Sequence, residues 1–451
     1  MKSPAATLAV RLALAAAALP VLMGAGGSED LDPRTQIGPN PALPEARQFL
    51  LPPMHLPSVV PWKSGETPKV GADLRVEAFA TGLQNPRSIY VLPNGDVLVV
   101  ESRSPGIEPI RRPKNIVMSW IESRVTSGAT STGGNRITLL RDSHGSGKPE
   151  VRTVFLDHLY SPFGVALVGN DLYVADTDAI LRFPYAPGET RITDPGTVLT
   201  PLPGGPIDHH WTKSLLASED GTKLYVGVGS NSNITENGIG AERERAAIWE
   251  VDRATGAHRI FASGLRNPNG LSWEPQSHAL WAVVNERDEL GPDLVPDYMT
   301  SVKDGAFYGW PYSYFGQHVD PRVMPQRPDL VAKAIVPDYA LSSHVAPLGM
   351  VFDAAGEGMP ARFRGGAFVG EHGSWDRQVF NGYKVVFVPF GGGKPNGMAE
   401  DVVTGFLDDG GHAHGRPVGL ALDRTGALLI ADDIGNTVWR VHAAPQAADA
   451  R

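Results

Sequence analysis

Residues Gly82 to Ser102 read GLQNPRSIYVLPNGDVLVVES. A polar, proline-bearing approach leads into an apolar strand, a Pro-Asn-Gly-Asp turn reverses the chain, and a second apolar strand follows. The same order returns in HLYSPFGVALVGNDLYVADTD from His158, HHWTKSLLASEDGTKLYVGVGS from His209 and GLRNPNGLSWEPQSHALWAVVNE from Gly264. It returns again in HVAPLGMVFDAAGEGMPARFRGGAFVGEH from His344 and HGRPVGLALDRTGALLIADD from His414. Short apolar strands such as ITLL, AIWEV and VWRV follow several units, and alternating strands such as VRTVFLDHL and DVVTGFL precede several. Six units of four strands about one axis predict an all-β, six-bladed β-propeller with four-stranded antiparallel blades. A β-sandwich requires no such repetition of strand order. Two stretches, Ser104 to Asn135 and Ser313 to Ser343, fit no blade; loops of that length are expected to be lids or binding elements.

Outward from these units, residues 71–443 are assigned to the propeller and residues 444–451 to a disordered tail. Residues 28–70 read as a tether, because Pro33, Pro39, Pro41, Pro44, Pro52, Pro53, Pro57 and Pro61 interrupt any helix or ladder. Residues 1–27 read as a signal peptide. Lys2 and Arg11 precede an apolar run from Leu12 to Met23, and Gly24, Ala25 and Gly26 follow it. A periplasmic or secreted mature protein without a membrane span is expected. The formal charge of −9 argues against a nucleic-acid partner. Among 451 residues, 51 glycines and 39 prolines suit short strands and tight turns. With no cysteine, a disulfide, a lipobox, a covalent c-type haem and a thiol nucleophile are all excluded.

In a propeller the residues just before each inner strand line one mouth of the channel. Here they are Asn85-Pro86-Arg87, Ser161-Pro162-Phe163, His209-His210-Trp211, Arg266-Asn267-Pro268, His344 to Pro347 and His414-Gly415-Arg416. Arg87, Arg266 and Arg416 come from three units, and like charges repel unless an anion lies between them. That pattern predicts a polyanionic ligand. GVGSNSN from Gly227 leads into no helix, GGGKPNG from Gly391 lacks the Walker spacing, and neither G-x-S-x-G nor H-E-x-x-H occurs. The acidic run NERDELGPDLVPDY, Asn285 to Tyr298, suits a surface loop; beside a Gly-Pro that exposes carbonyls it also suits Ca²⁺, which takes several hard oxygens.

Taken in order, GVGSNSN, GLRNPNGLSW, NERDELGPDLVPDY, GAFYGWPYSYFG, PDYAL, GEHGSWDR, GYKVVFVPF and HGRPVGL make residues 75 to 442 resemble the L-sorbosone dehydrogenase and soluble sugar dehydrogenase group. Those are six-bladed propellers that bind pyrroloquinoline quinone (PQQ) and Ca²⁺. The resemblance implies that Arg266, Asn267 and Arg416 hold PQQ and that His210 is the catalytic base, with His209 one register away. His372, in GEHGSWDR, is the second candidate base. It implies metal contacts from Gly291 and Pro292 with Asp293 or Asp297. The family's basic residue of the fifth unit maps onto Arg377 or Lys384, and Arg87 joins the cofactor set by its place in the first unit. Ser161-Pro162-Phe163 stands where the family has a glutamine, and its covering tryptophan is replaced near Ser342, although Tyr339 keeps a nearby aromatic.

The implied reaction oxidises a sugar alcohol or hydrated aldehyde by hydride transfer to the quinone, with a histidine as base and a separate electron acceptor. Two other classes stay open. One is a propeller hydrolase or lactonase with Ca²⁺ in the central channel, and the other a non-catalytic propeller that binds a glycan or partner.

Overall fold

The computed structural model describes residues 31–49, 52–106, 113–114, 116–117, 133–205, 207, 209–353 and 357–445. The leader expected at 1–27 and nearly all of the expected tail lie outside them. No helix among the described residues is long and apolar enough to cross a membrane.

Each sequence unit becomes one antiparallel blade, because its apolar strands alternate and its turns carry the glycines and Asx residues that tight reversals require. The first blade runs Pro86–Val91, Val97–Glu101, Arg136–Arg141, Val151–Leu156, from the axis outward. The second, third and fifth begin at Gly164–Val168, Leu215–Ala217 and Pro347–Phe352 and follow the same order. In the fourth blade, Asn267–Trp273, Leu280–Asn285 and Pro296–Ser301 pair in turn, and Tyr339–Ser343 supplies the outer strand. The stretch from Ser313 to Ser343 is therefore not all insert: its last five residues complete a blade. The sixth blade takes Pro417–Leu422, Leu428–Asp432 and Thr437–Ala443 from the C-terminal end and Leu74–Ala80 from the N-terminal end. That pairing closes the ring by joining the two ends of the chain within one blade.

The six inner strands neighbour one another in a closed circle. They line an axial cavity of about 480 Å³. Neighbouring blades approach closely there because glycine occupies the contacts. A Cβ on Gly349 would meet the Val418 carbonyl at 2.1 Å, and one on Gly419 would meet the Ser88 Cα at 2.7 Å. The core lies between blades, as in the cluster of Trp281, Val283, Tyr339, Phe352, Val369 and Val386 that joins the fourth to the fifth.

Of the tether expected at 28–70, residues 31–49 and 52–70 are instead laid across the propeller. Ile37–Gly38 pairs with the outer strand of the fourth blade, and Lys69–Val70 pairs with that of the fifth. Between them, the His55 ring stacks on Phe380 at 3.9 Å, and the Trp62 indole donates to the Asp432 carboxylate at 2.9 Å. The prolines do not interrupt every helix and ladder as expected: Pro33–Gln36 forms one 3-10 turn, and two short extended pieces add to open sheet edges.

Candidate functional site

At one end of the channel the start of each inner strand meets the end of the second strand of its blade. The second strands run out into acidic residues: Glu101, Asp176, Glu286, Glu371 and the pair Asp432-Asp433. Cations on the approaches therefore face carboxylates on the exits, and the two sides of the mouth settle this differently.

On the side of the sixth and first blades, Asp433 is the centre. Its Oδ2 accepts from Arg87 Nη1 at 2.6 Å, Arg416 Nη2 at 2.9 Å and His372 Nε2 at 3.0 Å, and Oδ1 accepts from Arg416 Nε at 3.1 Å. Burial would raise its pKa, but Arg416, His372 and Arg87 hold it well below the carboxylate range. Burial, with Arg416 beside it, lowers His372 to about 4, so that ring is neutral. Arg87 also stands 5.6 Å over the Trp211 ring. The anion that the arginine pattern demanded is thus supplied first by the protein itself. Two guanidiniums on one carboxylate still leave one net positive charge.

On the third and fourth blades, the His210 Nδ1 lies 2.9 Å from the Ser230 carbonyl and 3.0 Å from its Oγ. A carbonyl only accepts, so Nδ1 carries the hydrogen and Nε2 the lone pair. Nε2 has no hydrogen-bond partner among the described residues. Burial first, then Arg266, pushes the His210 pKa well below its ordinary value, so the ring stays neutral. Next to it the buried Asn267 Oδ1 has no partner. The two side chains meet over Gly229, where a Cβ would stand 2.4 Å from Asn267 Oδ1 and 2.5 Å from His210 Cβ. The His209 ring packs edge-on against His210 at 4.5 Å.

Arg266 behaves differently from the expectation. Its Nη1 donates to the Glu286 carbonyl at 2.6 Å, its Nη2 to Asn233 Oδ1 at 3.1 Å and Asp288 Oδ2 at 3.0 Å, and its Nε to the Asn233 carbonyl at 3.3 Å. Its donors are committed to the protein, so it braces the loop after the fourth blade's second strand.

The oxygens expected to hold a metal are also committed. The Gly291 carbonyl accepts from His344 Nε2 at 3.1 Å; that of Pro292 accepts from Arg377 Nη1 at 2.9 Å and Ser343 Oγ at 3.1 Å. Asp293 Oδ1 accepts from the Leu31 amide and pairs with Arg377 at 3.2 Å. Both Asp297 oxygens accept backbone amides, from Glu286 and Ala346, at 2.7 Å. The Arg377 guanidinium directed at the Pro292 carbonyl and at Asp293 opposes a dication between them, so the set of four does not fit Ca²⁺ as a whole.

Of the remaining expectations, Arg377 is buried and clamps the Gly-Pro loop to the N-terminal strap, its Nη2 reaching the Leu31 carbonyl at 3.4 Å. Lys384 pairs with Asp401 at 2.6 Å on the third strand of the fifth blade. Tyr339 is a correction: it is fully buried between blades, its hydroxyl donating to the Gly397 carbonyl at 3.1 Å and accepting from the Ala399 amide at 2.8 Å. The sequence motif placed it near the mouth, but its side chain alternates into the core. Asp433, Asp288, Asp376, Ser230 and Gly229 were missed. The acid ending the second strand in five of the six blades was a repeated signal that would have found Asp433.

Residues 129–296 and 329–444 match the TrAA12-like family. The chain belongs to that family. An uncharacterized protein of Borreliella burgdorferi is 28% identical over 296 residues, which is 63% of this chain and 76% of that protein. Among solved structures, the holo form of the PQQ domain of pyranose dehydrogenase from Coprinopsis cinerea is 21% identical, with a TM-score of 0.67 over 86% of this chain and 99% of that one. A calcium structure of the Trichoderma reesei family AA12 carbohydrate-active enzyme is 20% identical, with a TM-score of 0.67 over 84% and 97%. The PQQ-bound aldose sugar dehydrogenase of Streptomyces coelicolor is 16% identical, with a TM-score of 0.54 over 84% and 100%. These likenesses establish the propeller for this TrAA12-like chain.

Proposed function

We propose that this chain is an exported PQQ-dependent sugar dehydrogenase that oxidises a sugar or a sugar-derived aldehyde of the sorbosone or aldose type and passes electrons to a separate acceptor. The observation that carries this reading is the His210 imidazole: neutral, pinned through Nδ1 by Ser230, with its Nε2 lone pair at the mouth beside the unpaired Asn267 Oδ1. Arg87 and Arg416, sharing one carboxylate, keep a net positive charge that suits an anionic cofactor. The family membership and the printed names of the structural neighbours support the same reading.

When bound, PQQ supplies an electrophilic quinone carbonyl that takes the hydride. The chain supplies the rest. His210 Nε2 receives the proton of the sugar hydroxyl, and Ser230 keeps the ring in the tautomer that can receive it. Arg87 and Arg416 orient the anionic end of the cofactor, and Trp211 and Phe163, packed edge to face at 6.2 Å, form an apolar floor that excludes water.

A hydrolase reading needs acidic ligands in the central channel. Among the described residues lining it there is no Asp or Glu. The test is dye reduction by apoprotein given PQQ, a divalent cation and a panel of aldoses and sorbosone, with lactone hydrolysis followed in parallel. His210→Gln should lower kcat by about 10²–10⁴-fold with PQQ affinity little changed. Dye reduction that survives in His210→Gln but vanishes in His372→Gln, with PQQ still bound, would move the base to the fifth blade. Lactone hydrolysis without dye reduction would overturn the dehydrogenase reading.

A further inference from the structure

We infer that Asp288, His344 and Asp376 form a binding site for a first-row transition dication of the Zn²⁺ type, distinct in its ligands from the oxygen set that the sequence suggested for Ca²⁺. One ligand atom from each lies within 4.8 Å of the others. The three come from separate places in the chain. Asp288 follows the second strand of the fourth blade, His344 precedes the inner strand of the fifth, and Asp376 follows the fifth blade's second strand.

Each is prepared as a ligand would be. His344, 6% exposed, donates from Nε2 to the Gly291 carbonyl at 3.1 Å. A metal-bound imidazole is usually held in this way, its second nitrogen on a backbone carbonyl so that the first presents its lone pair. That first nitrogen, Nδ1, meets Asp288 Oδ1 at 3.3 Å in a hydrogen-bonded ion pair, whose proton a metal ion would displace on binding. A charge-assisted N–H···O bond would close to about 2.7–2.9 Å. Two ligand atoms about 2.0–2.2 Å from a tetrahedral ion stand roughly 3.3–3.5 Å apart, which is the spacing seen. The other oxygen of Asp288 is fixed by Arg266 Nη2 at 3.0 Å, which leaves Oδ1 for the ion.

Asp376 provides the independent sign. It is fully buried, its Oδ2 accepts the Glu289 amide at 3.0 Å, and its Oδ1 has no hydrogen-bond partner among the described residues. A buried carboxylate oxygen without a donor costs free energy unless something positive meets it. The structure places a histidine and a second aspartate within reach of that carboxylate and leaves the space between them to a cation.

The donor set chooses the ion. Ca²⁺ takes six to eight oxygens, and an imidazole nitrogen is a poor substitute. One imidazole and two carboxylates suit Zn²⁺ or a neighbouring first-row dication, and three protein ligands leave a fourth position open. Asp288 is the partly exposed member, with 19% of its side chain accessible, so the open position faces the channel mouth.

The test uses the full chain stripped with chelator and titrated with each metal alone, without PQQ or sugar, so its outcome is separate from that of the dehydrogenase assay. Calorimetry should show one Zn²⁺ per chain, undisplaced by excess Ca²⁺. Co²⁺ should give the intense visible bands of a four- or five-coordinate site. His344→Gln and Asp376→Asn should each weaken Zn²⁺ by more than the roughly 10–100-fold that losing an outer-sphere partner costs. Asp293→Asn, at the carboxylate paired with Arg377, should leave it unchanged. If either ligand variant fails to fold, the wild-type competition and the Co²⁺ spectrum decide. Ca²⁺ bound in preference to Zn²⁺, no metal bound, or Zn²⁺ binding untouched in folded His344→Gln would each overturn the assignment.

Discussion

The two sides of the channel mouth are built at equivalent positions of the same repeat, yet their charge balance is opposite. Around Asp433 two guanidiniums and a neutral imidazole converge on one carboxylate, and the surplus is positive. Between the fourth and fifth blades Glu286, Asp288, Asp297, Glu371 and Asp376 crowd together, and burial raises Glu286, Asp297 and Asp376 to about 7 and Glu371 to about 8. Asp288 alone goes the other way: burial would raise it, but Arg266 and His344 bring it to about 2. A repeated backbone therefore specifies where charges stand but not their sign. One side is left short of anions and the other short of cations, which is the arrangement a site for an anionic cofactor beside a cation would need.

Removing the shared anion should show this contrast most strongly. Asp433→Asn leaves the buried Arg87 facing the one-third-exposed Arg416 without their shared carboxylate; breaking a buried pair such as Arg87–Asp433 costs about 3–5 kcal/mol, and the exposed Arg416 arm adds little. Urea unfolding at neutral pH should report that loss, and added PQQ should recover part of it. An unchanged midpoint would mean that the arginines have another counter-charge.

The acidic side should respond with the opposite sign. Glu371 is buried, with Oε2 unpaired and a pKa raised to about 8 from an ordinary 4.5. Below the ordinary value both folded and unfolded chains hold the proton. Between the two values only the folded chain holds it, so its contribution to stability is lost as pH rises through that window. Glu371→Gln should flatten the fall in Tm between about pH 5 and pH 8 and melt higher than wild type above it. A parallel pH profile for the two proteins would show that the carboxylate finds a partner.

Smaller effects lie where the two sides meet and behind them. Gly229→Ala forces a Cβ onto Asn267 and His210, costing about 1–3 kcal/mol in stability, with a larger proportional loss of turnover. Equal loss in both would make Gly229 only a packing residue. Tyr339→Phe deletes the hydroxyl bonds to Gly397 and Ala399, worth about 1 kcal/mol, and should leave PQQ binding unaltered. A change in PQQ affinity there would restore Tyr339 to the mouth.

What the sequence by itself determined was the blade. Strand, turn and strand in Gly82 to Ser102 depend on alternation and on Pro-Asn-Gly-Asp chemistry, which act over a few residues, and six copies imply the ring. It also grouped His210, Asn267, Arg87 and Arg416 at one mouth, because each stands at or just before the start of an inner strand. Which charges meet was decided only by the closed ring. Arg87 and Asp433 are 346 residues apart, His344 and Asp288 are 56 apart, and Leu31 reaches Asp293 across 262 residues. No local rule relates such positions. The strap shows the same limit: its prolines predicted a tether without helix or ladder, but whether that chain hangs free or pairs depends on blade edges that exist only once the fourth and fifth blades have formed.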